Sequence, residues 1–400
     1  MRFDVIIVGG GLQGGLIALA FQHFQPNLRI VLIEKQKVLG GNHTWSFHAQ
    51  DVPLQAQPLV EPLICARWPG YRVQFPGFAR RVESRYYSIL SDHFHQIIST
   101  TLLDSKQVLL LGTEVKSLQR GSVITEHDSV YEAHLVIDAR GVASVSNYEG
   151  GFQKFVGWEI EQDVDWPEEE PLLMDATVPQ EDGFRFIYTL PFSKKRILIE
   201  DTVFSDSPYW NKEEFRNNIR AWLSKRGVQN YRVLREEFGI LPMPWSGKPP
   251  RIAQSSPIKA GCSGNWYHPA TGYSFPLAIR VALALAQGPL AEATQRISAL
   301  SKQISLRYSF SQFLNYLLFE WIAPGDRWQV FCRLYRALPE HRLARFYALN
   351  FNLIDSLRMV VCWPPPISIG QMLKRYLSRN NLNLNTMRQV PCHPPSNPIP

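Results

Sequence analysis

Three glycines and one acid near the start of the chain form a recognisable chemical pattern. Gly9, Gly11 and Gly14 follow the G-x-G-x-x-G spacing, and Glu34 lies 20 residues beyond Gly14. Gly9 permits a tight turn, Gly11 has no side chain to hold a pyrophosphate away from the backbone, and Gly14 allows close helix packing. A carboxylate at position 34 accepts hydrogen bonds from ribose hydroxyl groups. The pattern therefore predicts a dinucleotide-binding site.

The segments around these glycines have the composition that such a site needs. Residues 3–8 and 28–33 are apolar runs typical of buried strands, and residues 16–21 begin a helix. The N-terminus of that helix would direct free N–H groups at the phosphates. Because the motif begins so near the N-terminus, it favours FAD over NAD, with Val8 and Gly10 also in contact with the cofactor. The alternative is a glycine-rich turn in a generic α/β unit.

A second candidate group is the acidic pair Glu200 and Asp201, which lies in the strand-like run 196–202. Adjacent residues on a strand face opposite ways, so only one of these carboxyl groups can face a given cavity. A carboxyl group buried in an apolar cavity keeps its proton and can act as an acid. The alternative for Glu200 is a surface carboxylate paired with Lys194 or Lys195 at the preceding hairpin.

The surroundings of the acidic pair predict an antiparallel sheet. Residues 152–240 contain several strand-like runs, and in one of them Phe184, Phe186 and Tyr188 alternate onto one face. An aromatic face of this kind lines a cavity for an apolar substrate or belongs to the ordinary core.

Two further segments resemble parts of a flavin site. Residues 258–276 read as a strand, a glycine-rich loop and a helix start, which would bring a helix N-terminus to the flavin, with contacts from Gly264, Thr271 and Gly272. A cysteine stands where such strands usually end in Gly-Asp. An apolar strand ends at Asp138, which would lie near the cofactor or cap the following turn.

These segments predict an α/β fold: an FAD-binding Rossmann-like architecture of the two-dinucleotide-domain flavoprotein type, an antiparallel β-sheet substrate domain and a helical C-terminal region. We expect a discontinuous FAD-binding domain over residues 1–150 and 255–300, and the substrate domain over 151–254. Residues 301–390 form the helical, basic region, and residues 391–400 read as a disordered tail.

The positive charge is concentrated near the C-terminus. Residues 301–400 hold 12 Lys and Arg and 4 Asp and Glu. The net positive charge of this region is therefore larger than the net charge of +7 of the whole chain. Arg333, Arg336, Arg342 and Arg345 alternate there with apolar residues. Such a region would lie on an anionic membrane surface, or it is a helical cap with solvated arginines. No apolar run reaches the roughly 18 residues of a membrane span. No nucleic-acid partner is predicted, and oligomeric state stays open.

The cysteines argue against a metal site and a disulfide framework. The chain has five, none in a C-x-x-C motif, which fits a reducing cytoplasm. We therefore predict a cytoplasmic protein, peripheral to the inner membrane. The five are Cys65, Cys262, Cys332, Cys362 and Cys392.

Taken together, the motifs resemble those of the bacterial lycopene β-cyclase family over nearly the whole chain. The specific segments are the Gly-Asn-His-Thr-Trp-Ser loop at 41–46, the Ile-Glu-Asp-Thr strand at 199–202 and the His-Pro-Ala-Thr-Gly-Tyr-Ser loop at 268–274. The nucleotide fingerprint is shared with many flavoproteins and does not discriminate.

The resemblance implies an intramolecular lyase of the isomerase class that converts lycopene through γ-carotene to β-carotene. It implies FAD in its reduced form, NADPH or NADH as reductant, no net redox change, and a substrate delivered from the membrane. It makes Glu200 the essential acid, with Asp201 as a second acid.

Cyclisation would begin with a proton added to the terminal double bond of lycopene, donated by Glu200 or by the reduced flavin. Three alternatives remain from the residues: an FAD-dependent monooxygenase or epoxidase, a prenyl-chain reductase, and a non-catalytic carotenoid- or flavin-binding protein.

Overall fold

The computed structural model describes residues 1–103, 105, 107–141, 148–252, 257–361 and 370–377, so the tail predicted at 391–400 lies outside the described residues. The strands, numbered along the chain, are β1 (Arg2–Val8), β2 (Ile30–Glu34), β3 (Thr44–His48), β4 (Ala66–Trp68), β5 (Tyr71–Phe75), β6 (Phe78–Val82), β7 (Tyr86–Leu90), β8 (Val108–Leu111), β9 (Val115–Leu118), β10 (Ser122–Thr125), β11 (Val130–Asp138), β12 (Gly150–Gln162), β13 (Leu172–Asp175), β14 (Phe184–Pro191), β15 (Arg196–Ser205), β16 (Tyr231–Pro244) and β17 (Ile258–Lys259).

The α-helices lie between and after these strands. They are α1 (Leu12–Phe24), α2 (Gln57–Val60), α3 (Ser91–Leu103), α4 (Lys212–Lys225), α5 (Phe275–Ala286), α6 (Ala293–Tyr316), α7 (Trp328–Ala337), α8 (Glu340–Tyr347) and α9 (Leu353–Val361).

The first sheet holds the glycine motif. Its strands run in the order β8-β2-β1-β11-β10-β9, and β17 lies beside β11. β1 pairs in parallel with β2 and β11, and β2 pairs in parallel with β8. Residues 5–8 of β1 and 30–33 of β2 are buried on both faces, as the continuous apolar runs predicted. Helix α1 follows β1 directly and packs against α5. This is the predicted Rossmann-like α/β arrangement.

The second sheet is almost entirely antiparallel. Its described strands run in the order β16-β12-β15-β14-β13-β5-β6, in which β13 and β5 pair in parallel and the other neighbours pair antiparallel. The sequence interpretation placed residues 71–82 in the FAD-binding domain, whereas β5 and β6 join this sheet at its edge. β5 alternates buried and exposed residues, which suits a strand with one packed face and one exposed face.

A three-stranded sheet, in the order β3-β7-β4, connects the two larger sheets. β3 begins within the segment 41–46, and its antiparallel pairing with β7 fixes its position. The Phe47 ring on β3 stacks on Phe275 at the start of α5, with ring centroids 3.7 Å apart. This contact holds the loop close to the glycine-rich segment before α5.

The second sheet is packed on both faces, so the environment of a side chain depends on the face from which it projects. One face joins the main core that also contains α1, α3 and α5. The opposite face forms a separate cluster under α4, in which Ile199 on β15 packs with Ile219 and Trp222 of the helix. Successive residues of β15 therefore face the main core and α4 in turn.

A buried arginine ties the C-terminal region to the second sheet. Arg327 has no exposed surface and donates to the backbone carbonyls of Phe204, Leu318 and Phe319. Farther along, Asp355 pairs with arginines of α8. In the described part of the chain, no helix has both the length and the apolar character needed to cross a membrane.

Candidate active site

A cavity of about 1400 Å³ extends from the glycine turn after β1 to one face of the second sheet. Both polar and aromatic groups line it, and its two ends differ in character. The end at the first sheet is built from glycines and acids, and the end at the second sheet from aromatic rings. The cavity therefore joins the predicted dinucleotide site to the predicted substrate sheet.

At the first-sheet end, each of the three glycines meets a different steric demand. Gly9 has a φ of +104°, and a Cβ there would lie 2.8 Å from the backbone of Ala139. A Cβ at Gly14 would lie 1.8 Å from the Gly9 carbonyl oxygen, so only glycine lets α1 approach β1. A Cβ at Gly11 would meet no protein atom within 4 Å. Gly11 thus faces open space on the cavity wall, where a phosphate could approach the backbone.

The carboxylate at the end of β2 is oriented by the same turn. The Gly10 amide donates to Glu34 Oε2 at 2.6 Å, and the Gln36 amide donates to Oε1 at 2.8 Å. Val8 and Glu34 line the cavity, whereas Gly10 acts through its N–H group. The arrangement leaves lone pairs of the Glu34 carboxylate for hydroxyl donors.

Asp138 lies at the end of β11 and lines the cavity. Its carboxylate accepts from the Arg140 side chain at 2.8 and 3.0 Å and from the Arg140 amide at 3.3 Å. Asp138 therefore caps the following turn, as the alternative interpretation expected, and also borders the cavity.

The glycine-rich segment before α5 divides into two parts. Thr271 and Gly272 line the cavity, and Gly272 has a φ of +68°. Gly264 does not line the cavity. A Cβ at this position would lie 2.4 Å from the Lys259 carbonyl oxygen, so the turn itself requires glycine here. Ser274 and the first residue of α5 also line the cavity, so the helix N-terminus faces it.

Aromatic side chains form the second-sheet end. Phe186 and Tyr188 of β14 line the cavity together with Phe204 of β15. Phe184, on the same face, does not reach it and stacks on Phe331 with ring centroids 4.2 Å apart. The alternating aromatic face thus contributes both to the cavity wall and to the core behind it.

Glu200 is the predicted acid, and its side chain lines this part of the cavity. The Thr202 hydroxyl donates to Glu200 Oε1 at 2.6 Å. Protein surrounds the carboxyl group, and this burial, with the nearby Glu237, raises its pKa to about 8. Lys194 lies beside Asp165 instead, with the charged atoms 3.9 Å apart. A protonated carboxylic acid at neutral pH follows from this environment.

Asp201 lies on the opposite face of the second sheet, away from the cavity. Its Oδ2 accepts from Arg185 Nη1 at 3.2 Å and from Asn218 Nδ2 at 2.9 Å. Burial raises the pKa of Asp201 to about 7, although Arg185 lowers it. Asp201 is therefore not placed to protonate a ligand in the cavity.

Glu237 on β16 is a cavity residue that the sequence interpretation did not single out. The Thr44 hydroxyl and Arg235 Nη1 each donate to Glu237 Oε2 at 3.1 Å. Burial raises its pKa to about 7, whereas Arg235 and Thr44 lower it. Period-two alternation on residues 231–244 could have placed it on one sheet face, but not opposite Glu200.

A second polar group was also missed. Tyr273 Oη donates to Asp51 Oδ2 at 2.5 Å, and the His48 amide donates to the same oxygen at 3.0 Å. Burial lowers the pKa of His48 to about 4 and raises the pKa of Asp51 to about 7. His48 and Tyr273 line the cavity, so they present a neutral imidazole and a phenol there.

Comparison with known proteins identifies the family. The sequence model described as "Lycopene cyclase protein" matches residues 4–374. This chain belongs to the lycopene cyclase family. It is 38% identical over 370 residues to the lycopene beta-cyclase of Pantoea ananas, which covers 91% of this chain and 95% of that protein. It is 36% identical over 383 residues to the lycopene beta-cyclase of Pseudescherichia vulneris, covering 94% and 97%. The family resemblance expected from the motifs is confirmed.

Solved structures of other proteins share the fold of this lycopene cyclase family member. A geranylgeranyl bacteriochlorophyll reductase-like protein from Thermoplasma acidophilum gives a TM-score of 0.62 at 14% identity, covering 97% of this chain and 98% of that one. The flavin-dependent brominase Bmp2 gives 0.59 at 14% identity, covering 97% and 100%. At such identities the likeness concerns the fold, and the predicted Rossmann-like flavoprotein class is confirmed.

Proposed function

We propose that this protein is a lycopene β-cyclase that converts lycopene through γ-carotene to β-carotene with reduced FAD and no net redox change. Family membership and the two bacterial relatives support a cyclase over a monooxygenase or a reductase. The observation that carries the proposal is the position of Glu200. Its protonated carboxyl group lies on the wall of a cavity that begins at the glycine turn and ends among aromatic rings.

The residues of the first-sheet end fit FAD. Gly11 leaves open space at the start of α1, the Glu34 carboxylate is oriented beside it, and Asp138 closes the neighbouring strand. Two helix N-termini, those of α1 and α5, direct unpaired N–H groups toward the cavity. When bound, reduced FAD would supply electron density and negative charge to the cavity. We assign the reductant as NADPH or NADH.

Glu200 is the proton donor to the alkene. Its O–H proton adds to C2 of the terminal C1=C2 double bond, whose π electrons form the new C–H bond and leave a tertiary cation at C1. Thr202 holds the carboxyl group by one oxygen. Because burial favours the neutral acid, Glu200 keeps its proton until the substrate arrives.

Ring closure then takes place within the substrate, beside a dry, apolar wall. The C5=C6 π electrons form the C1–C6 bond and move the positive charge to C5. The Glu200 carboxylate, left by the first proton transfer, takes the C6 proton; the electrons of the C6–H bond form the C5=C6 double bond of the β-ring, so the product has the mass of the substrate. The rings of Phe186, Tyr188 and Phe204 line this wall, where they would exclude water, and an aromatic face turned to the cation would stabilise it. The same sequence of steps closes the second end.

Substrate delivery from a membrane surface belongs to the same proposal. On α9, Leu353, Ile354 and Leu357 are 81%, 58% and 65% exposed. Asp355 on the same helix faces inward, where Arg342 and Arg345 hold it. The helix thus presents an apolar patch of leucines and isoleucine outward. We propose that this α9 patch rests on the cytoplasmic face of the inner membrane and takes lycopene from it.

The arginines predicted to contact the membrane do not all remain available for it. Arg342 and Arg345 are paired with Asp355, and Arg336 lies over the Phe78 ring at 4.9 Å. The apolar residues of α9 therefore carry the proposed contact, with charge as a minor contribution.

One incubation tests the function. Purified protein, FAD, NADPH and lycopene in detergent or liposomes, without oxygen, should yield γ-carotene and then β-carotene of unchanged mass. Incorporation of oxygen when air is admitted would instead support a monooxygenase. A product that has gained two hydrogens for each reduced bond would support a reductase. Binding of lycopene without turnover would support a non-catalytic role.

A further inference from the structure

A glycine on the central strand of the second sheet brings two carboxyl groups to one place. Gly157 on β12 pairs with Glu200 on β15 and with Glu237 on β16. Residues directly opposite in an antiparallel sheet point to the same face, so both glutamates stand on the cavity side. A Cβ at Gly157 would lie 3.2 Å from Glu237 Cγ and 3.4 Å from Glu200 Cβ. No side chain therefore separates the two acids.

The two acids have unequal partners. Glu237 accepts a charged hydrogen bond from Arg235, which in turn contacts Glu159 and the side chain of Asn42. Glu200 is held by the neutral hydroxyl of Thr202. A guanidinium stabilises the anionic form of its partner far more than a hydroxyl does. Negative charge therefore resides on Glu237 and the proton on Glu200.

The remaining ionisable groups near the pair reinforce this division. Tyr188 on β14 stands opposite Glu200 and is neutral, since burial raises the pKa of its phenol. Burial and Arg235 lower the pKa of His43, so this imidazole is neutral as well. Glu159 raises the pKa of Glu237 slightly, and its own carboxylate is paired with Arg196 and Arg235. Among the groups named here, Arg235 is the positive charge bound to the pair, whereas Arg196 is bound to Glu159.

We propose that Glu237 is a positioning residue for the acid, and that the Glu200–Glu237 pair holds one dissociable proton, kept on Glu200 by the anionic Glu237. This inference deepens the proposed function and rests on it. Donation of the proton to C2 leaves both groups as carboxylates, so negative charge in the cavity is greatest while the substrate is a cation. The proton released from C6 restores the pair to one proton, and no proton is gained or lost over one ring closure.

The pH profile of conversion tests the pair. In Glu237→Gln the negative charge is removed, so Glu200 should ionise more readily. The alkaline limb should move to lower pH by about one unit or more. Glu237→Asp keeps the charge and should restore much of the profile. Glu236→Gln is the matched control, because Glu236 lies next in sequence but bonds to Arg216 and Trp158 on the other face. A Glu237→Gln limb that stays in place would overturn the proposal, even if the rate falls.

Infrared difference spectroscopy gives a readout that does not need turnover. The FAD-loaded protein near neutral pH should show a protonated carboxylic acid band that Glu200→Gln removes. Glu237→Gln should lose about half of this band or more, because a fall of about one unit brings the pKa of Glu200 to near neutral pH, and Glu236→Gln should retain it. Retention of the full band in Glu237→Gln would contradict the proposed proton-sharing pair.

A second variant is available if Glu237→Gln fails to load FAD. Gly157→Ala, which spreads the two acids, should shift the band and the alkaline limb in the same direction. Presence of the band in a protein that does not cyclise lycopene would refute the function and leave the pair standing.

Discussion

Glu200 and Asp201 are neighbours in sequence, yet their carboxyl groups lie on opposite faces of the second sheet. Glu200 lines the cavity, where a hydroxyl from Thr202 holds it. Asp201 has no exposed surface and is bonded to Arg185 and to Asn218 of α4. One carboxyl group is therefore placed for the proposed chemistry, and the other binds α4 to the sheet. The period of two along a strand separates these tasks.

Substitution of Asp201 should reduce stability rather than chemistry. Asp201→Asn leaves Arg185 without its buried partner, although Glu214 still pairs with the other guanidinium nitrogen at 2.8 Å. We expect a loss near the low end of the roughly 3–5 kcal/mol that breaking a buried ion pair costs. Denaturant unfolding measures it, and conversion per folded, FAD-loaded molecule should stay near wild type. A hundredfold loss of conversion in a fully folded variant would restore Asp201 as a second acid.

The pH dependence follows from the raised pKa of Glu200. Because the acid must be protonated to act, conversion should fall as pH rises through about 8. Stability should follow the same direction: the folded pKa lies above the ordinary 4.5, so the stabilisation from Glu200 is complete below 4.5 and is lost as pH rises to about 8. Initial rates and urea unfolding across this range test both statements. A conversion rate that rises through the same interval would contradict the assignment of the acid.

Two glycines of the nucleotide turn should respond differently to alanine. At Gly11 the new Cβ meets no protein atom, so stability without cofactor should change by no more than about 0.5 kcal/mol. The methyl group would instead overlap the pyrophosphate and weaken FAD binding by about 1–3 kcal/mol, roughly ten- to hundredfold. At Gly14 the Cβ would overlap the Gly9 carbonyl, so Gly14→Ala should destabilise the apoprotein itself. Thermal unfolding and FAD titration separate the two effects, and equal loss of apoprotein stability in both variants would argue against the assigned site.

The α9 patch should matter only when lycopene is supplied in a bilayer. Leu353→Ser with Leu357→Ser removes exposed apolar surface without disturbing Asp355 and its arginines. We expect weaker sedimentation with anionic liposomes and slower conversion of liposomal lycopene, with little change for lycopene in detergent. Leu54→Ser, at a position 80% exposed and far away in sequence, is the control. Equal liposome binding by the double variant and the wild type would remove the patch from the proposal.

The parts of the fold that sequence could predict are those specified by short segments. β1, the glycine turn, α1 and β2 are consecutive, and each glycine answers a local steric need, so residues 3–34 were sufficient. The opposite orientation of Glu200 and Asp201 followed from the strand period alone.

Long-range pairing is what the sequence did not reveal. β5 pairs with β13, which lies about a hundred residues later in the sequence. The five residues of β5 do not indicate which strand it pairs with. Glu237 meets Glu200 only because both strands align on Gly157, a register set by the whole sheet. Likewise, Arg342 and Arg345 looked solvent-facing until α9 placed Asp355 beside them. Such contacts depend on how elements meet, which local patterns do not encode.

The most direct test is the rate at which Glu200→Gln closes rings on lycopene under reducing, oxygen-free conditions. The variant should fold, bind FAD and bind lycopene like the wild type, because glutamine keeps the shape of the side chain. It should convert lycopene at least about a hundredfold more slowly, the usual cost of losing a positioned proton donor. Near-normal formation of β-carotene by that FAD-loaded variant would contradict the account and would assign the proton to another donor in the cavity.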